Sequence, residues 1–173
     1  MDSNTHLEFR NDPRLHGFYV KIRLRSEANT PGISDDDLRE FLRELDGMPV
    51  NSPSVLTYRR AMRAMADHNE RDAIALAQAV AKDDPSIAAV AYNLVGLSHL
   101  RLHNYTEAYE AFLKVKATES VQDVAEQNAF EAAWFRQIRE NNTDLMARFF
   151  DDFPGSQLPG MLRLSEDDDA EDA

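Results

Sequence analysis

The chain has 173 residues, a net charge of −12, 43% hydrophobic residues and no cysteine. This length and apolar content allow one substantial core, and the lack of cysteine excludes disulfides, thiol nucleophiles and thiolate metal sites. The longest uninterrupted apolar run is the six residues 87–92, against the roughly 20 that a membrane-spanning helix needs. An acidic surface repels phosphate groups, so we expect neither nucleic acid nor membrane as a partner.

Residues 1–33 have the pattern of a strand segment. Residues 18–25 alternate apolar and basic side chains with a period of two, and turn residues at 11–13 separate them from a similar alternation at 7–9. This pattern predicts a short amino-terminal β strand or hairpin. Because a lone hairpin is unstable in water, we expect residues 5–25 to pack on the helices of the same chain, to pair with another chain, as in a homodimer, or to remain partly disordered.

From residue 34 the apolar period becomes that of an α-helix. Ser34 and the acids after it are typical of a helix start, and Gly47 and Pro49 of a stop, which predicts a capping helix within 34–48. Helical periodicity beyond Pro53 then predicts six further helices, near 54–67, 70–82, 86–102, 105–117, 121–140 and 143–153. In the carboxy-terminal segment 154–173, the last ten residues hold six acids and no base, so we expect a disordered acidic tail.

Within these helices the sequence repeats itself. Asn69 and Asn104 hold the same place in two similar segments 35 residues apart, and residues 139–145 continue the series. In the middle unit, two successive predicted helices carry small residues at Gly96 and Ala108 among larger ones. The full set is Tyr92, Val95, Gly96 and His99 on the first helix and Tyr105, Ala108, Phe112 and Val115 on the second. This spacing resembles the tetratricopeptide repeat (TPR), with about three repeats over residues 54–153.

The resemblance implies a mainly α fold, a right-handed solenoid of antiparallel helix pairs, and an architecture similar to that of small acidic TPR chaperones. The alternative is a stack of helical hairpins outside that family. The resemblance also implies a concave groove, lined by the first helix of each pair, that holds a segment of a client protein. By repeat register the groove residues are Tyr58, Met62, Met65, Asn93, Leu97, Arg101, Gln127, Phe130, Trp134 and Gln137.

This predicted lining is mainly apolar and aromatic, which suits hydrophobic anchors, while its amides suit a peptide backbone. The alternative is that Tyr58, Met62, Phe130 and Trp134 pack between helices as ordinary core residues.

Catalytic and cofactor chemistry has little support in the sequence. His99 and His103 have the four-residue spacing of a shared metal site but no third ligand nearby, and the six glycines are all isolated, so no phosphate-binding loop is present. We therefore predict a non-enzymatic protein without metal or cofactor. Its expected role is that of an adaptor or chaperone binding a peptide or hydrophobic segment of a client. The alternative is a structural subunit or homodimer that uses the amino-terminal strand segment as its interface.

The expected location is the cytoplasm, because the amino terminus shows neither the basic nor the apolar region of a secretory signal.

Overall fold

The structure is a computed structural model that describes residues 35–47, 52–116 and 122–158. The predicted strand segment in 1–33 and the acidic tail after residue 158 lie outside the described residues.

The described part of the chain is mainly helical, as predicted. Its elements are α1 (Asp35–Asp46), α2 (Pro53–Ala66), α3 (Glu70–Asp83), a 3₁₀ turn (Pro85–Ile87), α4 (Ala88–Arg101), α5 (Tyr105–Lys116), α6 (Gln122–Glu140) and α7 (Asp144–Asp152). These bounds lie within one or two residues of those predicted from the apolar period, which confirms the helix assignments.

Short polar residues start the helices. Asn69 caps α3, its side-chain oxygen accepting a hydrogen bond from the backbone N–H of Asp72 (3.5 Å). The Asp84 carboxylate accepts from the backbone N–H of Ser86 (3.1 Å) and so shapes the 3₁₀ turn that leads into α4. Both contacts satisfy backbone donors that lack a partner within their own helix.

The turns between paired helices have a common geometry. His68, His103 and Asn141 adopt left-handed backbone angles, with φ of 60°, 61° and 52°, and each stands just after α2, α4 or α6. In the first two turns the next residue closes the helix end in the same way. The N–H of Asn69 donates to the carbonyl of Ala64 (2.8 Å), and that of Asn104 to the carbonyl of His99 (2.9 Å).

The helices pack mainly in chain order, each against the one before it and the one after it. Close approach of α4 and α5 depends on Gly96, because a Cβ atom there would lie 2.7 Å from Phe112 Cδ1 and closer still to two other ring carbons. The result is one continuous apolar core that extends from Leu38 in α1 to Phe153 after α7. Among the described helices, none combines the length and the apolar character needed to cross a membrane.

Candidate binding face

Five of the predicted groove residues are enclosed in the core. Tyr58, Met62, Met65, Asn93 and Leu97 each have 0% of their surface exposed. The apolar members belong to the continuous core cluster, so in this structure they pack between helices rather than line an open surface. Their role in binding stays a prediction.

The residues predicted on α6 are less enclosed. Gln127, Phe130, Trp134 and Gln137 are all half-buried. The Phe130 ring meets the ring of Phe149 edge to face, with 5.3 Å between centroids. Phe130 therefore contacts α7, the second helix of its own pair.

Arg101 takes part in an ionic network at the end of α4. Its guanidinium pairs with the carboxylates of Asp35 and Glu70, the latter with 3.4 Å between Nε and Oε1. Its Nη2 also lies 3.3 Å from Nδ1 of His68, whose Nε2 is 3.1 Å from Asp35 Oδ2. The network therefore connects α1 to the turn between α2 and α3. Because only 11% of the Arg101 side chain is exposed, its guanidinium is poorly accessible to a ligand.

A buried amide pair joins α4 to α6. The Asn128 side-chain Nδ2 donates to Asn93 Oδ1 at 2.8 Å, and both residues are 0% exposed. The two asparagines are 35 residues apart, the same separation as that of the turn residues Asn69 and Asn104. Asn128 is absent from the predicted set, although this repeated separation is the signal that identifies it.

The pair leaves two hydrogen-bonding groups unused. Asn93 Nδ2 and Asn128 Oδ1 are buried and have no hydrogen-bond partner among the described residues. An enclosed amide group without a partner costs about 1–3 kcal/mol, so such groups call for an explanation. One donor beside one acceptor is the pattern that complements the C=O and N–H of a peptide backbone.

Further polar residues occupy related positions. Tyr58 precedes Asn93 by the same 35 residues, and burial raises the pKa of its hydroxyl above its ordinary value. Glu131, three residues beyond Asn128 on α6, is 6% exposed. Tyr58, Asn93 and Asn128 therefore form a row of polar side chains, one on each of α2, α4 and α6.

The described residues give no support to a metal site. No group of three or more His, Asp or Glu side chains there is arranged to hold a metal ion. The two histidines of the predicted spacing have separate neighbours, His99 Nδ1 lying 3.4 Å from Asn104 Nδ2 and His103 Nδ1 lying 3.0 Å from the Tyr105 hydroxyl. Burial lowers the pKa of His99 and so favours the neutral imidazole, while the Glu107 carboxylate has a smaller, opposite effect.

Comparison of the chain with models of protein families, with curated proteins and with solved structures finds no match.

Proposed function

We propose that the protein is a non-catalytic interaction module of the cytoplasm, an adaptor or chaperone that binds an extended segment of a client protein along α2, α4 and α6. The observation that carries this proposal is the Asn93–Asn128 pair, enclosed between two helices with one amide donor and one carbonyl acceptor unused. Both groups are enclosed in this structure, so a client backbone would supply a partner to each when α4 and α6 move apart to admit it.

Backbone recognition of this kind tolerates many client sequences, because every residue but proline offers the same N–H and C=O groups. Specificity then depends on side chains beside the pair. Trp134 and Gln137 follow on α6 and are half-buried, so an apolar client side chain has an aromatic surface to contact at this end.

A TPR-like solenoid of three helix pairs, α2 with α3, α4 with α5 and α6 with α7, is part of this proposal. It is supported by the similar left-handed turns at His68, His103 and Asn141, and by packing in chain order. The 35-residue separation of the bonded asparagines adds a contact between successive first helices. Repeats that bury their faces only by stacking have these properties.

The test is a double variant, Asn93→Leu with Asn128→Leu. Replacing both members of a buried pair by apolar groups of similar size is nearly neutral or stabilising, whereas removing one member leaves the other unsatisfied. Peptides selected from a random display library against the wild-type protein serve as ligands, and Trp134, the single tryptophan of the chain, reports their binding by fluorescence. We expect the double variant to keep its denaturation midpoint and to lose at least about tenfold in affinity, since two hydrogen bonds contribute about 1 kcal/mol each.

Gln78→Leu is the matched control, because it removes an exposed amide of α3 and should leave the same affinities unchanged. Unaltered binding to the double variant would place the site elsewhere on the molecule. Failure of the library to yield any binding peptide would contradict the proposed function itself.

A further inference from the structure

Helix α2 carries a charge opposite to that of the whole chain. Within Pro53–Ala66 there are three arginines and no acidic residue, although the protein has a net charge of −12. Leu56, Arg60 and Arg63 follow one another at four- and three-residue spacing, which places them on one face of the helix. All three are exposed, Leu56 by 51%. We refer to Leu56, Arg60 and Arg63 as the arginine stripe.

Acidic neighbours neutralise only part of this stripe. Arg63 pairs with Asp46 of α1, and Asp46 also acts electrostatically on the half-buried Arg59. Arg60 forms no ion pair with any of the described residues, so the stripe keeps an excess of positive charge next to an exposed leucine. A surface of this composition complements a segment that combines acidic and apolar residues.

The chain itself contains such a segment. Residues 166–172 include six acids and no base, and Leu164 stands two residues before them. In this segment a leucine precedes the acidic residues, and in the arginine stripe Leu56 likewise precedes Arg60 and Arg63.

The helix contacts define the distance that this segment must cover. Asn93 and Asn128 join α4 to α6, and the Ser98 hydroxyl contacts Met65 Sδ at 3.3 Å between α4 and α2. Two helix spacings of about 8–10 Å therefore separate α6 from α2, about 20 Å in all. Short turns join each helix to the next, and each helix packs on its neighbours in chain order, so α2, α4 and α6 run in the same direction. The contacts between them join residues 33 and 35 apart, close to one repeat.

The described chain ends at the same level as the stripe. The Ser156 hydroxyl donates to the Glu126 carboxylate on α6, and in the repeat register Glu126 corresponds to Leu56 on α2. Seven residues, 159–165, connect Leu158 to the acidic run and extend at most about 25 Å. The connection is therefore long enough for the acidic run to reach the stripe of its own chain.

We propose that the acidic residues 166–172 dock on the arginine stripe of the same chain. Each exposed ion pair contributes less than about 1 kcal/mol and is screened by salt, so docking is reversible. The short connection raises the effective concentration of the segment and favours its own chain over a second copy. While docked, it occupies Arg60 and Arg63 and keeps other acidic segments from this face.

The 173-residue chain contains no cysteine, so a single spin label can be placed just after the acidic run through Ala173→Cys. In the full-length, ¹⁵N-labelled protein at low salt, we expect the label to broaden the amide signals of Leu56, Arg60 and Arg63 but not that of Ala147 on the exposed side of α7. The broadening should disappear in 1 M NaCl, where the screening length falls to about 3 Å, and in the double variant Arg60→Gln with Arg63→Gln.

The matched control is Arg71→Gln with Lys82→Gln, which removes two exposed positive charges from α3 and should leave the broadening unchanged. No broadening at α2, or broadening that persists in the stripe variant, would overturn the proposal. A second copy of the chain is the other possible occupant of the stripe. It is tested in a mixture of ¹⁵N protein without a spin label and spin-labelled ¹⁴N protein. Broadening in that mixture would show a second copy on the stripe and would overturn docking within one chain.

Discussion

Helices α4 and α7 are stabilised in different ways. Nine of the fourteen residues of α4 are buried, whereas only Leu145 and Phe149 are buried among the nine residues of α7. Helix α4 contacts α2, α3, α5 and α6, while α7 packs chiefly on α6. The interior helix is therefore stabilised by apolar contact on almost every side, and the terminal helix has to use other contacts.

Rings and charges supply those other contacts around α7. Phe149 stacks on Phe153 with 4.9 Å between ring centroids. The Tyr109 hydroxyl donates to Asp152 (2.7 Å), and the Arg148 guanidinium donates through both terminal nitrogens to Glu110, at 2.6 and 3.3 Å. These contacts connect α5 to α7, so the stack ends in an aromatic and ionic cap.

The largest effect on stability is expected when one phenylalanine from each region is replaced by alanine. Phe112 in α5 and Phe149 in α7 are both 0% exposed. Phe112→Ala should lower the free energy of unfolding by about 3–5 kcal/mol, and Phe149→Ala by an amount near the lower limit, because a cavity at the end of the stack collapses more easily. Urea denaturation of both variants measures the difference.

Phe150→Ala is the control for this pair, since Phe150 is 50% exposed and its loss should change stability by less than about 0.5 kcal/mol. Equal large losses for Phe112→Ala and Phe149→Ala would mean that the terminal helix is as tightly constrained as the middle one.

A smaller effect is expected from adding volume. Ala108 is 0% exposed on the helix that packs on Gly96, whereas Ala147 lies exposed on α7. Ala108→Leu should overpack the α4–α5 contact and cost about 1–3 kcal/mol, while Ala147→Leu should stay within about 0.5 kcal/mol of wild type. If chemical denaturation gave both variants the same midpoint, the close approach of α4 and α5 would not limit stability.

The helix bounds were accessible from the sequence because the determinants are local. Apolar residues recur with the helical period, and Asn69, Asp84 and Asn104 mark the interruptions. By contrast, the ionic network of Arg101 with Asp35 joins residues 66 apart, and no local pattern indicates which charged side chains the fold brings together.

The residues of the proposed binding face were predictable from the sequence only in part. Asn93 was identified, but its partner Asn128 was not, because the 19 residues of α6 contain several apolar stripes with the helical period. The predicted repeat register chose Gln127, Phe130, Trp134 and Gln137 on this helix, so Asn128 lay one residue outside it. In the structure Phe130 contacts Phe149, while Asn128 contacts Asn93. The position of a helix about its own axis depends on which neighbours it packs against, and a single apolar period does not contain that information.

The smallest expected effect concerns the ionic part of the cap and depends on pH. Hydrogen bonding from Arg148 lowers the pKa of Glu110, so the pair stabilises the fold above the ordinary glutamate pKa of about 4.3, and this contribution is lost as the pH falls through the lowered value. Because the side chains of Arg148 and Glu110 are 40% and 51% exposed, solvent screening limits the contribution at neutral pH to less than about 1 kcal/mol.

Glu110→Gln should therefore be slightly less stable than wild type at pH 7, and the difference should shrink as the pH falls toward 3, as measured by urea denaturation across that range. Glu107→Gln, which removes an exposed carboxylate of α5 that forms no ion pair among the described residues, should show no such convergence. A stability difference for Glu110→Gln that stays constant between pH 7 and pH 3 would mean that the glutamate acts through packing rather than charge. The terminal helix would then resemble the interior one more closely than its contacts indicate.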